Sequence, residues 1–323
     1  MDARAGTGGA PSPWSVWAAL LLIYVVWGST YLAIKVNVET LPPMLSGGIR
    51  FLVAGGILYL LLLARHGAGG TRVTRRELAA CVVAGAVLLV GGVGMVMVAE
   101  TRISSSLAAI IASSIALWIV ILRLVSRERI ARATVGAALV GFGGVALVVA
   151  PGAGTDASLV GVLISLGSSV SWAVGSFLSR RAPLPRDPFL ATAIEMLAGG
   201  VILLALGLAT GEAADLDLGA VSGRSVAGLA YLSIAGSLVS FSAYVWLLRH
   251  VPISKVVTHQ YVNPLVAVLL GWALLSEEIT AVMLAGAALI VGSVAVVVRR
   301  ESGTARDAVE ATPAGAPAEV EAG

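Results

Sequence analysis

Long apolar runs follow one another along almost the whole chain, separated by short polar segments. The hydrocarbon core of a bilayer is about 30 Å thick and an α-helix rises about 1.5 Å per residue, so about 20 apolar residues suffice to cross it. Ten runs approach or exceed this length, and each is predicted to be a membrane-spanning helix. The ten predicted spans are 16–36, 43–64, 78–98, 104–122, 134–150, 159–179, 188–209, 226–247, 252–275 and 279–298.

The composition supports a membrane protein and leaves little chain for a soluble domain. Hydrophobic residues make up 58% of the chain and charged residues 12%, and the mean hydropathy is +0.96. Soluble domains are about half apolar and about a quarter charged. The apolar runs are continuous, whereas the strands of a membrane barrel would alternate apolar and polar residues. We therefore expect an all-α integral membrane protein.

The two chain ends have different predicted properties. The first span is too long and begins too late for a cleaved signal peptide, so residues 1–15 are expected to stay on the protein as a cytoplasmic segment. The stretch after residue 300 is "ESGTARDAVEATPAGAPAEVEAG", which has five acidic residues and no large apolar cluster. Such a composition is typical of disorder, and residues 299–323 are predicted to form a disordered cytoplasmic tail.

The positions of the basic residues predict the orientation in the membrane. If the N-terminus is cytoplasmic, 14 arginines lie in the inner segments, whereas the outer loops contain only Arg102 and Arg224. Basic residues accumulate on the cytoplasmic side of membrane proteins, so both termini are expected inside. The net charge of +3 is thereby explained by loop anchors, and nucleic acid is not an expected partner.

The chain contains an internal repeat. A shift of 145 residues aligns Trp27 with Trp172 and "RFLVAGGIL" (50–58) with "EMLAGGVIL" (195–203). Five spans precede the predicted linker, 151–158, and five follow it. An odd number of spans in each half forces the second half, 159–298, to be inverted relative to the first, 16–150. Inverted repeats are typical of transporters that bind substrate near the midplane between the halves.

Several short motifs carry a resemblance to a known family. They are "YVVWGSTYLAIK" (24–35), "PPMLSGGIRFLVAGGILYL" (42–60), "GMVMVAE" (94–100), "SWAVGS" (171–176), "AIEMLAGGVIL" (193–203) and "YVNPLVAVLLG" (261–271). Together they resemble the drug/metabolite transporter superfamily, EamA type, and within it the YedA-like permeases.

The resemblance implies ten helices in two inverted five-helix repeats, located in the inner membrane. It also implies export or exchange of metabolites or drug-like compounds such as amino acids or amphiphilic and cationic molecules. Helices 1–4 and 6–9 of such proteins surround a central cavity, while helices 5 and 10 pack to one side. The family usually has a proline where this chain has Ala116, so a less kinked fourth helix is expected.

Arg50 is the first candidate for a residue in this cavity. Counted from Pro43, it lies about 10 Å below the outer surface, where an unpaired charge costs at least a few kcal/mol. It is therefore expected to face the cavity. Two interpretations fit this position: Arg50 contacts the substrate, or it ties helices together through backbone carbonyl groups.

Glu195 occupies the equivalent position in the second repeat, about 10 Å from the inner surface. It is predicted to be the only carboxylate well inside the membrane. A partnerless buried carboxylate can carry a proton, whereas one paired with a cation stays ionised. Lys255 is the candidate partner by depth, so an ion pair and proton coupling are both open.

Polar and aromatic residues supply the other candidates. Lys255, His259 and Asn263 follow one another at four-residue spacing in the ninth span, which places them on one helical face. Tyr24, Trp27 and Tyr31 share a face of the first span, and Trp172 begins the equivalent segment of the sixth. Aromatic faces suit flat or cationic organic molecules, although packing between helices explains them equally well.

Other classes of function find less support in the sequence. The chain lacks G-x-S-x-G, H-E-x-x-H and G-x-x-x-x-G-K-[ST] motifs, so no enzyme, metal site, cofactor or direct use of ATP is expected. A channel or a membrane receptor is the alternative to a transporter. The expected partners are the bilayer and a small-molecule substrate. Small residues at 137/141 and 288/292 fit bundle packing and leave a homodimer open.

Overall fold

The computed structural model describes residues 12–150, 158–251, 253–256 and 258–310. The first eleven residues, most of the predicted linker and the last thirteen residues lie outside this part of the chain. Within it, nine helices are long and apolar enough to cross a membrane, and a tenth, shorter apolar helix completes two sets of five. The helices are α1 Pro13–Asn37, α2 Pro43–Gly70, α3 Arg75–Glu100, α4 Ser105–Val125, α5 Arg132–Val149, α6 Leu159–Ser179, α7 Pro188–Ala209, α8 Gly223–His250, α9 His259–Leu275 and α10 Ala281–Glu310.

All ten predicted spans are therefore confirmed as helices, with differences at their ends. The predicted ninth span begins at 252, whereas α9 begins at His259 and is preceded by the separate helical turn Ile253–Val256. The backbone of α10 remains helical to Glu310, although the sequence predicts a disordered tail from residue 299.

Local sequence signals explain where several helices begin. Pro13, Pro43 and Pro188 occupy the first turns of α1, α2 and α7, where a missing N–H costs no hydrogen bond. Thr74 and Glu77 form a reciprocal capping box at the start of α3. These local signals explain the starting points of α1, α2, α3 and α7.

The two repeats meet along α2 and α7, at glycines that are 145 residues apart. A methyl group added at Gly55 would lie 2.8 Å from Cβ of Met196 and 3.0 Å from the backbone oxygen of Ala193. One added at Gly200 would lie 2.9 Å from the backbone nitrogen of Leu52 and 3.0 Å from the oxygen of Gly48. Both glycines thus allow the two backbones to approach closely, as small residues do in membrane bundles.

Helices α5 and α10 form a second close pair at one side of the bundle. Methyl groups added at Gly144 and Gly286 would each lie within 3.0 Å of the other glycine's backbone oxygen. Gly141 faces Ser293 and Leu117, in agreement with bundle packing. The same expectation is wrong for Ala288 and Gly292, which are exposed on α10 because its buried face runs through Gly286, Ile290 and Ser293 instead.

Two helices contain π-helical stretches at equivalent places in the repeats. The stretches are Gly85–Gly94 in α3 and Leu232–Val239 in α8. A shift of 145 residues superposes most of one on the other in the sequence. Such stretches are rare in proteins and occur frequently at functional sites. Gly92 and Val93 of the first stretch line the central cavity described below.

The fourth helix is interrupted despite the absence of a proline. Its two parts, Ser105–Ala112 and Ile115–Val125, are separated at Ser113 and Ser114. The Ser113 hydroxyl donates to the backbone oxygen of Ala109, a local bond that competes with the helical pattern. The backbone of both serines keeps right-handed helical angles, so the expectation of a less kinked α4, based on Ala116, stays a prediction.

Candidate functional site

A cavity lies in the middle of the bundle between the two repeats. Seven helices line it: α1 to α4 from the first repeat, and α6, α8 and α9 from the second. Its empty volume is about 970 Å³, the open space at its mouth included. Helices α5 and α10 contribute nothing to this cavity, and neither does α7.

The cavity brings together six of the nine residues that the sequence singles out. They come from both repeats and from four helices, which brings side chains more than 200 residues apart to one cavity. The six are Trp27, Tyr31, Arg50, Trp172, His259 and Asn263.

The other three candidates lie elsewhere. The Tyr24 hydroxyl is hydrogen-bonded to Thr258, next to the cavity but outside its lining. Glu195 on α7 lies against α3, where a methyl group added at Gly85 would meet its backbone oxygen. Lys255 is exposed, and among the described residues no ion pair joins it to Glu195.

The predicted polar face of the ninth span is incomplete for a structural reason. Lys255 belongs to the turn Ile253–Val256, and α9 starts only at His259, so the four-residue spacing does not run through one continuous helix. His259 and Asn263 keep their shared face within α9. Of the three residues, only His259 and Asn263 therefore line the cavity.

Arg50 is buried, with 4% of its surface exposed, and lies on the cavity wall. Its Nε donates to the Ser237 hydroxyl of α8 at 2.9 Å, and its guanidinium lies 5.0 Å from the centre of the Phe51 ring. Its Nη1 has no hydrogen-bond partner among the described residues. The arginine therefore links the two repeats through a side chain and still has an unused donor in an apolar environment.

Trp27 connects α1 to α8 and α9 at the same wall. Its Nε1 donates to the backbone oxygen of Gly236 at 3.1 Å. Its ring centre lies 5.3 Å from that of Phe241, 5.2 Å from Tyr244 and 5.0 Å from His259. Packing between helices and exposure to the cavity therefore occur together in this residue.

His259 and Asn263 are hydrogen-bonded to backbone rather than to each other. His259 Nδ1 lies 2.8 Å from the oxygen of Val256. In the amide orientation that satisfies its hydrogen bonds, the Asn263 nitrogen donates to the oxygens of Tyr24 at 3.2 Å and His259 at 3.1 Å. The partner of the His259 ring is therefore a backbone carbonyl.

The π-helical stretches make room for the aromatic and charged side chains. A methyl group added at Gly92 in α3 would lie 2.8 Å from the ring of Trp172. In α8, Gly236 accepts from Trp27 and lies beside Arg50, to whose Nη2 an added methyl group would be 3.6 Å away. Each irregular stretch thus borders one side of the cavity.

Glu100, the last residue of α3, is a buried acid that sequence reasoning missed. It is 0% exposed, so the helices enclose an acid other than Glu195. The expectation that Glu195 alone lies well inside the membrane concerns depth and stays a prediction. The predicted third span ends at residue 98, which leaves Glu100 outside it, but the helix continues and neighbouring helices cover the side chain. The motif "GMVMVAE", an acid that ends a long apolar run without a turn residue, was the available signal.

The described part of the chain contains no group of three or more histidine, cysteine or acidic side chains arranged to hold a metal ion. Cys81 is buried and unpaired. The chemistry of the cavity therefore rests on one arginine, aromatic rings and backbone-satisfied polar groups.

Comparison with known proteins places this architecture in a family. The EamA-like transporter family matches residues 14–150 and again residues 159–299. These two matches coincide with the two five-helix repeats of the structure.

Individual proteins give the same result. The uncharacterized inner membrane transporter YedA of Escherichia coli strain K12 is 35% identical over 284 residues, covering 87% of this chain and 90% of that protein. The uncharacterized transporter YvbV of Bacillus subtilis strain 168 is 28% identical, covering 86% of this chain and 90% of that one. A crystal structure with 22% identity has the same fold, with a TM-score of 0.60 over 90% of this chain and 99% of the other. The chain therefore belongs to the EamA-like transporter family and is a multi-pass inner-membrane transporter.

Proposed function

We propose that this transporter exports or exchanges small organic metabolites or drug-like compounds by alternating access, and that its substrates carry an acidic group beside an apolar or aromatic body. The observation that carries the proposal is Arg50, a buried cation on the cavity wall with a donor that no described residue uses. Amino acids and aromatic carboxylates have this combination of groups.

The environment of Arg50 supports recognition of an acid. A guanidinium presents several N–H donors in one plane and suits the paired oxygens of a carboxylate. Only Nε is hydrogen-bonded to Ser237, and a charge in an apolar site is stabilised by a counter-charge far more than one in water. A substrate acid at this point would supply the missing partner.

Aromatic side chains support the second half of the substrate description. Trp27, Tyr31, Trp172 and Phe241 line the cavity together with aliphatic groups. Ring faces bind flat apolar bodies by stacking and bind cations through their negative faces. An amino acid would use both kinds of contact at once.

The inverted repeat supports alternating access over an open channel. Cavity residues come from both repeats, so a rocking movement of one repeat against the other would open the cavity to one side and close it to the other. The chain has no phosphate-binding G-x-x-x-x-G-K-[ST] motif, which favours exchange or ion gradients over ATP as the energy source.

Counterflow in proteoliposomes tests the proposal. Vesicles loaded with an unlabelled compound should take up the labelled compound transiently, and uptake should saturate with concentration. The panel pairs compounds that differ in the acidic group: phenylalanine with phenethylamine, and benzoate with benzyl alcohol, followed by quaternary amines and dyes. Saturable exchange that prefers the acid of each pair is expected. Flux that never saturates would indicate a channel, and preference for the amines would refute the role of Arg50 in recognition.

A further inference from the structure

Glu100 is fully buried, and neither of its carboxylate oxygens has a hydrogen-bond donor among the described residues. An ionised carboxylate in such a place loses its hydration without replacement, which costs several kcal/mol. The neutral acid needs far less solvation. Burial alone therefore favours a bound proton on Glu100.

Charged neighbours act on this acid from three sides. Lys35 of α1, Arg50 of α2 and Glu277, which follows α9, all lie within electrostatic reach of Glu100. Tyr31 of α1 also lies near it. On its own segment, Arg102 is exposed to solvent, so its charge is screened.

Two of these charges have other partners. The Lys35 ammonium donates to the backbone oxygens of Glu100 at 2.7 Å and Ile103 at 2.9 Å. The Glu277 carboxylate accepts from the backbone nitrogens of Ser105 at 2.7 Å and Ser106 at 3.0 Å. Arg50 differs from both because its Nη1 is unused. The electrostatic potential at Glu100 therefore depends on whether a negatively charged molecule is bound to Arg50.

Glu100 also lies directly beside the cavity. It follows Val96, a cavity-lining residue, by four positions and so lies one helical turn farther out on the same face of α3. Lys35 has the same relation to Tyr31 on α1. Glu100, which is fully buried, and Lys35, which is half-buried, thus lie one helical turn beyond the cavity on neighbouring helices.

We propose that Glu100 is a proton-binding site and that the proton and the acidic group of the transported molecule bind together through their shared neighbour Arg50. The substrate part of this inference rests on the proposed function. Proton coupling is thereby assigned to Glu100 on α3, whereas the sequence alone points to Glu195 on α7.

The sign of the coupling follows from the charges. With an empty cavity, Arg50 stabilises the Glu100 carboxylate and opposes the effect of burial. An organic anion on Arg50 offsets that positive charge and places a negative charge near Glu100, so the balance moves towards the neutral acid. One proton from water then forms an O–H bond on Glu100 and leaves when the anion leaves. Proton and anion therefore move in the same direction.

Infrared difference spectroscopy on the whole protein tests the proton site without any transported compound. Spectra taken between about pH 5 and about pH 9, above the ordinary titration of free carboxyl groups, should show the carbonyl stretch of a protonated acid that disappears as the pH rises. Glu100→Gln should remove one component of this signal, which Glu100→Asp should shift and the control Glu195→Gln should leave in place. A signal unchanged by Glu100→Gln would refute the site, and one constant across the whole range would refute the coupling.

Arg50→Gln tests the link between the two residues. Loss of the cation should move the titration of Glu100 to higher pH, because the carboxylate then keeps Lys35 as a stabilising neighbour and loses Arg50. Arg102→Gln, an exposed arginine on the same end, is the control and should leave the titration unchanged. Equal titration in the wild type and in Arg50→Gln would contradict the coupling.

Transport measurements separate this inference from the proposed function. For a compound from the panel that shows saturable counterflow in the wild type, Glu100→Gln should retain exchange and lose accumulation driven by a pH gradient. Retained accumulation would refute the proton site and leave the proposed function standing. If the wild type shows no counterflow, the proposed function fails, while the infrared titration still decides whether Glu100 binds a proton.

Discussion

The two repeats share a backbone and differ in chemistry. Gly55 and Gly200 make equivalent close contacts between α2 and α7, and the π-helical stretches of α3 and α8 occupy equivalent positions. In contrast, Arg50 lies on the cavity wall, while its sequence equivalent Glu195 lies against α3 outside the lining. The scaffold is therefore repeated and the site is not.

Labelling of equivalent loops should give the largest difference between the repeats. Ala68 and Ala213 are exposed alanines 145 residues apart, at equivalent ends of α2 and α7. Because the repeats are inverted, a membrane-impermeant thiol reagent applied from outside should label Ala213→Cys and not Ala68→Cys. Wild-type protein, whose single cysteine is buried, is the control. Labelling of both variants from the same side would exclude the inverted arrangement.

Substitution of the two equivalent charges should separate cavity from scaffold. Arg50→Ala is expected to weaken binding of an acidic substrate about 10- to 100-fold, since a hydrogen bond to a charged group contributes about 1.5–3 kcal/mol. Glu195→Gln should bind nearly as well as the wild type because its side chain is outside the cavity lining. Half-saturation in counterflow measures both, with thermal stability as the test of folding. An equal loss of binding in the two variants would mean that both equivalent positions contribute to the substrate site.

The glycines at the contact between the repeats should show equal effects. Gly55→Ala and Gly200→Ala each place a methyl group within about 3 Å of the facing backbone. Overpacking of this kind costs about 1–3 kcal/mol, so both variants should unfold at lower temperature in detergent. Gly56→Ala is the control because an added methyl group there meets nothing within 4 Å. If only one of the two substitutions lowers the unfolding temperature, the two glycines do not contribute equally to the contact between the repeats.

The smallest effect is expected at the ion pairs of Glu128, in the segment between α4 and α5. Glu128 accepts from Arg123 at 2.7 Å and from Arg181 at 2.8 Å, and these ion pairs join the segment after α4 to the end of α6. The hydrogen bond from Arg123, followed by that from Arg181, lowers the pKa of Glu128 below its ordinary value. A lowered pKa means that the stabilisation is present above the ordinary carboxyl range and is lost as the pH falls through the folded-state value.

Thermal unfolding as a function of pH measures this contribution. Glu128→Gln should lower the unfolding temperature slightly at neutral pH and remove part of the loss of stability in acid. Glu39→Gln, a change at an exposed acid of the outer side, should alter neither. An unchanged acid profile in Glu128→Gln would mean that solvent screens these ion pairs completely.

The helices could be predicted from the sequence because each span is encoded locally. A run of about 20 apolar residues must bury its backbone polar groups as a helix in lipid, whatever its neighbours are. Only the details depended on contacts between helices. The break of α4 at Ser113 and Ser114 and the late start of α9 needed three-dimensional packing to be seen.

The sequence by itself determined the membrane class, the ten helices, the repeat and the cost of placing a charge at Arg50. These follow from hydrophobicity and depth, which are properties of the chain read in one dimension. The tertiary structure decided which charges meet: it brought Arg50 to the cavity, left Glu195 and Lys255 outside the lining, and covered Glu100 completely. The reason is that depth in the membrane fixes the cost of a charge, whereas its partner depends on which face of the helix it occupies and which helix packs there.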